Sequence, residues 1–228
     1  MTVLEKWDLR LDVDVVLRGQ GADPTAIRRR SPRLVESAER ALAEGSLLLQ
    51  PRVTTRRLLV EDLHHERLKL EGNGKLSGGL LAQHMGGASE VVIVLCTVGE
   101  ALERRAADVS KEDAIYGLAL DGVGSAGVEA LANAACALIE EEATEEDCQV
   151  TIPLSPGMVG WPVEQGQPQI FDLLDAGEID VRLTESMMML PRKSLTFVLG
   201  IGKELMVGGR TCDYCSLKET CRYRDHYD

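Results

Sequence analysis

An α+β fold is expected for this chain, with a mixed, largely antiparallel sheet and one long packed helix. Three observations predict it. Val91-Val-Ile-Val-Leu-Cys-Thr97 is a β-branched apolar run too short for a helix, which suits a strand buried on both faces. Arg67 to Leu76 alternates about a glycine–asparagine turn and reads as a hairpin. From Lys111 to Ala143 the pattern is helical, long and rich in alanine.

The remaining elements follow in chain order. Ser31-Pro32 caps and opens a helix carrying Leu34, Val35, Ala38, Ala41 and Leu42, and Gly45 stops it. A strand is expected over Val53–Glu61, and a short helix from Gly99 to about Ala107. Within the long helix, Gly122, Gly124 and Gly127 each cost roughly 1 kcal/mol against alanine, so a neighbouring helix or a ligand must come close there. Their spacing imitates a dinucleotide fingerprint, but a helix precedes them instead of a strand, so the dinucleotide context fails and no Rossmann site is expected. Then come a strand at Gln149–Ile152, the loop Pro153–Pro162 with three prolines and two glycines, and a helix over Pro168–Asp175. Strands are expected at Ile179–Leu183 and Leu195–Ile201, joined by a connection that holds Met187-Met-Met189. That run serves either a core or an adaptable partner surface.

Composition narrows the function classes. The 228 residues carry 25 Lys+Arg against 37 Asp+Glu, a formal net charge of −12, which is unsuited to nucleic acid. The basic cluster Arg28, Arg29, Arg30 and Arg33 reads as a solvated helix end, and His64-His65 as surface imidazoles. Neither a signal-peptide pattern nor an apolar run of membrane length is visible, so a cytoplasmic protein is expected. In a reducing compartment the clustered Cys212, Cys215 and Cys221 suggest a metal before a disulfide. Thiolates with two residues between them, such as Cys212 and Cys215, reach one metal from a single turn. His226 would complete a Cys3His zinc site, or the three cysteines hold an iron–sulfur cluster with a fourth ligand from elsewhere. One domain is therefore expected over 1–207, followed by a Cys-rich metal-binding tail at 208–228.

The proline–glycine loop reads as shaped for a ligand, since glycines admit close backbone approach and Trp161 offers a flat face with one donor. Ser155-Pro-Gly157, Gly160-Trp-Pro162, Gln167–Phe171, Leu183-Thr-Glu-Ser186 and Met188–Ser194 together resemble the activation region of vitamin B12-dependent methionine synthase, above all its small free-standing members. The resemblance is best over 110–202. It implies a C-shaped α+β fold that binds S-adenosylmethionine in a shallow groove and docks on a corrinoid protein. There it restores methylcobalamin by one-electron reduction and methyl transfer. By position it places Ser155, Pro156, Gly157, Gly160 and Trp161 at the ligand, and Glu129 at its ammonium group. The family's arginine two residues before the loop serine, which would pair the ligand's carboxylate, is Pro153 here; Arg182, Arg192 and Lys193 are the candidate replacements. A Cys-rich end in a free-standing member would deliver the electron otherwise supplied by a separate donor, which favours iron–sulfur over zinc. Two readings stand: an activation subunit for a corrinoid-dependent methyltransferase, or a non-catalytic corrinoid- or methyltransferase-binding module with a zinc-stapled tail.

Overall fold

The structure, a computed structural model, describes residues 1–205, 208–215 and 218–219. In chain order it runs β1 (Thr2–Leu4), α1 (Val13–Gly19), α2 (Pro24–Arg30), α3 (Pro32–Gly45), β2 (Arg52–His64), β3 (Arg67–Leu70) and β4 (Gly74–Ser77). Next come α4 (Gly79–His84), β5 (Glu90–Thr97), α5 (Ala101–Val109), α6 (Ala114–Glu145) and β6 (Gln149–Val150). The chain continues through α7 (Val163–Leu173), β7 (Arg182–Leu183), β8 (Met189–Leu190) and β9 (Ser194–Gly202). The α+β class expected from sequence is the observed one.

One sheet has the order β4-β3-β2-β5-β9-β6, with β1 also on β2, and β7 pairs β8 apart from it. Among the described residues every strand pairing is antiparallel. β5 lies at the centre, paired along its whole length to β2 and β9. The period of two along a strand sends its side chains into two cores. Val91, Ile93 and Leu95 join Leu154, Trp161 and Ile170 on one face. Val92, Val94 and Cys96 join Phe197, Leu199 and the C-terminal half of α6 on the other. A third core is helical, built from Val16 and Leu17 of α1, Ala38 and Ala41 of α3, Leu102 of α5 and Leu120 and Val123 of α6. By length and composition α6 is apolar enough to cross a membrane; here its apolar residues serve two of these cores.

The three helix glycines find three separate uses, all of them packing. A Cβ on Gly122 would stand 2.6 Å from Gln20 Cγ and 2.9 Å from the Val16 carbonyl oxygen of α1. Gly124 admits the stem of Lys193, and Gly127 admits Leu49. Gly19 is tighter still, because its Cβ would meet the Gly122 carbonyl oxygen at 2.4 Å. Gly19→Ala is therefore expected to cost about 1–3 kcal/mol by forcing α1 off α6. Gly86→Ala, whose Cβ meets nothing within 4 Å, is the near-neutral control. Urea midpoints of the two variants measure the difference.

Several boundaries differ from the sequence expectation. The helix expected at Pro168–Asp175 begins at Val163, with Pro168 inside it. The strand expected at Ile179–Leu183 starts as a 3-10 turn over Ala176–Ile179, held by the Asp175 carboxylate on the Gly177 N–H and closed by left-handed Asp180 (φ 56°). Only Arg182–Leu183 pairs. The ladder at Gln149 stops at Val150, and the chain returns to β9 through a bridge between Leu154 and Val198. Arg28, Arg29 and Arg30 end α2, where cations suit the negative helix terminus, and Arg28 pairs with Asp14 at 2.6 Å.

Candidate functional site

A cavity of about 630 Å³, a size suited to a nucleoside-sized ligand, opens between α6, the proline–glycine loop, β9 and the cysteine segment. Four of its lining residues are Glu129, Ala132, Asn133 and Cys136. Their i, i+3, i+4, i+7 spacing puts them on one face of α6. Leu195 and Phe197 of β9 and Ile152, Pro153, Ser155, Pro156, Gly157 and Met158 of the loop add a mostly apolar wall. Arg210, Thr211, Cys212 and Cys215 close another side. The charged residues of this described lining are one acid, Glu129, and one base, Arg210.

The loop is held from both ends. Leu154 exchanges both backbone hydrogen bonds with Val198, at 3.0 and 2.9 Å, which fixes Ser155 to the sheet. The Gly157 N–H donates to the Trp161 carbonyl at 2.7 Å, and the Trp161 N–H donates to Met158 O at 3.0 Å. Gly157 (φ 101°) and Gly160 (φ 88°) take left-handed backbone that a side chain would strain. These bonds close the loop into a rigid turn with Ser155, Pro156 and Gly157 at the cavity.

The resemblance places Gly160 and Trp161 at the ligand together with Ser155, Pro156 and Gly157. Of these, neither Gly160 nor Trp161 lines the cavity, and Trp161 is fully buried in the core beneath the loop. Gly78 and Gly166 make its berth, because a Cβ on either would stand 2.7 or 2.8 Å from the indole. The Gly166 position also abuts Pro156. Trp161 thus supports the loop from below, as its large apolar face favours in an aromatic-poor core.

The proposed substitutes for the loop arginine also lie away from this cavity. Arg182 and Arg192 line a second cleft of about 580 Å³ with Arg52 and Arg104, and Arg192 is engaged by Glu103. Lys193 Nζ reaches Asp121 and the Ser125 hydroxyl, each at 2.8 Å. Arg210 is the cation at the cavity, brought by the segment after β9.

That segment is docked. The Val159 N–H donates to the Tyr214 carbonyl at 2.9 Å, and the Tyr214 ring meets His84 edge-on at 4.5 Å between centroids. Tyr214 sits between Cys212 and Cys215, so its seat on the body positions both. Among the described residues no group of three metal-ligating side chains forms; Cys221 and His226, named in the metal expectation, lie outside the described residues. Cys136 was missed from the sequence. Burial pushes its thiol up to about 12, which keeps it protonated and unreactive at neutral pH.

His84 is 5% exposed, and burial lowers its pKa. Its neutral form is therefore favoured in the fold. As pH falls below the unfolded imidazole value of about 6.5, the unfolded chain takes up a proton that the fold resists, and stability drops. His84→Phe, which keeps a ring against Tyr214 but cannot titrate, should flatten the fall in melting temperature between about pH 7 and about pH 5.5. Thermal melts of the two proteins across that range check it.

The sequence matches no protein-family model and no curated protein. Among solved structures, the chain is similar to a crystal structure of the MetH reactivation domain bound to AdoHcy, with a TM-score of 0.62 at 15% identity. The match covers 88% of this chain and 78% of that one. The fold of this chain is that of the MetH reactivation domain.

Proposed function

We propose that this chain is an activation subunit for a corrinoid-dependent methyltransferase such as methionine synthase. In this reading it binds S-adenosylmethionine in the cavity between α6 and the proline–glycine loop and docks on a cobalamin-bearing partner for reductive remethylation. The observation that carries the reading is the cavity itself. It gathers Ser155, Pro156, Gly157 and Glu129 with one base, Arg210, on a largely apolar wall. An acid and a base at one apolar site complement the zwitterionic end of an amino acid joined to a flat nucleoside. A solved structure of similar fold, at low identity, is of a domain bound to AdoHcy, which supports the same ligand class.

Cob(II)alamin is hard to reduce, and coupling its reduction to methyl transfer draws the equilibrium forward; the cobalt chemistry belongs to the partner's cofactor. What this chain supplies is binding and orientation. Cys212, Cys215, Cys221 and His226 are proposed to hold zinc or an iron–sulfur cluster, the latter delivering the electron. A non-catalytic corrinoid- or methyltransferase-binding module is the second reading, favoured by the seating of Tyr214 against His84, which suits a structural staple.

Titration calorimetry with AdoHcy and with S-adenosylmethionine tests the ligand; saturable heat is expected from both. Anaerobic incubation with a cob(II)alamin methyltransferase, S-adenosylmethionine and a reductant should then recover methylcobalamin absorption. Heat from the corrinoid protein without heat from either sulfur ligand would leave the binding module standing. Anaerobic purification adds a metal test: colour that bleaches with dithionite supports the cluster, and stoichiometric colourless zinc refutes it.

A further inference from the structure

A second cleft lies at one end of the central sheet, and we propose that its arginines bind an organic phosphate, a small molecule with a phosphate monoester on an apolar body. Strand register gathers the cleft. Arg52, the first residue of β2, lies opposite Thr97, the last of β5, and Thr97 lies opposite Ser194, the first of β9. The helix that follows β5 is α5, which brings Arg104, and the stretch that enters β9 brings Arg192. The β7–β8 ladder sets Arg182 opposite Leu190 and delivers a fourth guanidinium. In a chain of net charge −12, four separate stretches thus send arginines to one cleft of about 580 Å³.

The charges there do not cancel. The described lining holds four arginines against three acids, and Arg182 makes no ion pair among the described residues. Two of the three pairs present are weak holds. Asp180 meets Arg52 at 2.6 Å but its side chain is 79% exposed, and Glu100 meets Arg104 at 3.2 Å with both side chains largely in solvent. Exposed pairs contribute little, so an arriving dianion can re-engage both guanidiniums. Arg192 differs: the mostly buried Glu103 accepts from its backbone N–H at 2.9 Å and from its guanidinium, which fixes that wall. Arg52, Arg104 and Arg182 are therefore the groups left for a ligand. A carboxylate offers two oxygens and one charge. A phosphate monoester offers three terminal oxygens and nearly two charges, which suits three guanidinium forks on one cleft. Leu190, Pro191 and Ala107 give the same cleft an apolar wall for the body of the molecule, and its volume exceeds what a bare ion fills.

Calorimetry of the full chain with phenyl phosphate tests the site, with benzoate and inorganic phosphate as partial probes. Saturable one-to-one heat is expected from phenyl phosphate, and weaker binding from both partial probes. Arg182→Gln should weaken phenyl phosphate roughly 10- to 100-fold, the scale of one charge-assisted contact. Arg182 is exposed and has no ion pair to lose among the described residues, so this variant should unfold at the parent's temperature. Arg29→Gln removes the same charge from α2, outside the cleft, and should leave the affinity unchanged. No saturable heat, parent affinity in Arg182→Gln, or an equal loss in the two variants overturns the site. Benzoate bound as tightly as phenyl phosphate overturns the phosphate assignment in favour of a carboxylate. Inorganic phosphate bound as tightly overturns the organic body.

Discussion

Trp161→Ala is expected to destabilise the protein by about 3–5 kcal/mol, the cost typical of emptying a large aromatic site in a core. The side chain is fully buried, and two of its close neighbours, Gly78 and Gly166, have no side chain to move into the space. The damage should spread to the ligand, since the Gly157 N–H bonds to the Trp161 carbonyl and the Gly166 position abuts Pro156. Trp161→Phe separates the two roles of the indole. Its Nε1 is buried without a hydrogen-bond partner among the described residues, so losing that donor costs nothing in hydrogen bonds. The phenylalanine variant should therefore lose less than about half as much stability as the alanine one, and retain AdoHcy binding. Urea unfolding followed by calorimetry on the same samples decides it. Equal losses would show that the N–H carries the energy.

The second large effect concerns the charged pair of the cavity. Glu129→Gln is expected to weaken AdoHcy roughly 10- to 100-fold, because a charge-assisted hydrogen bond to an ammonium is worth about 1.5–3 kcal/mol. Folding should be little affected, since Glu129 is only partly buried on the cavity face of α6. Arg210→Met should weaken binding comparably by removing the partner for the carboxylate. The control is adenosine, which lacks the amino-acid end. Its affinity should be unchanged in both variants, and a parallel loss there would mean that the substitutions deform the cavity.

The fold was legible where one physical signal dominated. The continuous apolar run of β5, flanked on both faces, has no other stable place than a sheet centre. The alternation of Arg67–Leu76 fixed a hairpin because Gly72 and Asn73 both supply left-handed backbone. What escaped were the short helices. α1 and α2 have seven residues each and α4 six, too few for a periodic pattern. Capping aspartates were nonetheless present, with Asp12 accepting from Val15 and Asp23 from Thr25. Pro168 misplaced α7 because proline reads as a helix start, whereas the chain enters the helix directly from Pro162.

The site was legible in part for a similar reason. Ser155, Pro156 and Gly157 stand out locally, and Glu129 entered through the resemblance. Asn133 and Cys136 could have been found by extending one face of α6 from Glu129 by four and seven residues. Arg210 carries no local signal. It reaches the cavity only because β9 ends where the cysteine segment can fold back beside the loop, a tertiary fact.

The walls of the cavity come from residues 129–136, 152–158, 195–197 and 210–215, four stretches distributed over the second half of the chain. No fragment of the chain that lacks one of them can present the complete binding surface. On the proposed reading, ligand binding is thus a property of the finished fold, and AdoHcy would gauge how much protein has folded correctly. At a hundred times its dissociation constant, a ligand selective for the folded state adds about 2.7 kcal/mol of protection. A thermal-shift screen of adenosyl compounds would therefore report cavity assembly in crude preparations, well before any partner protein is in hand.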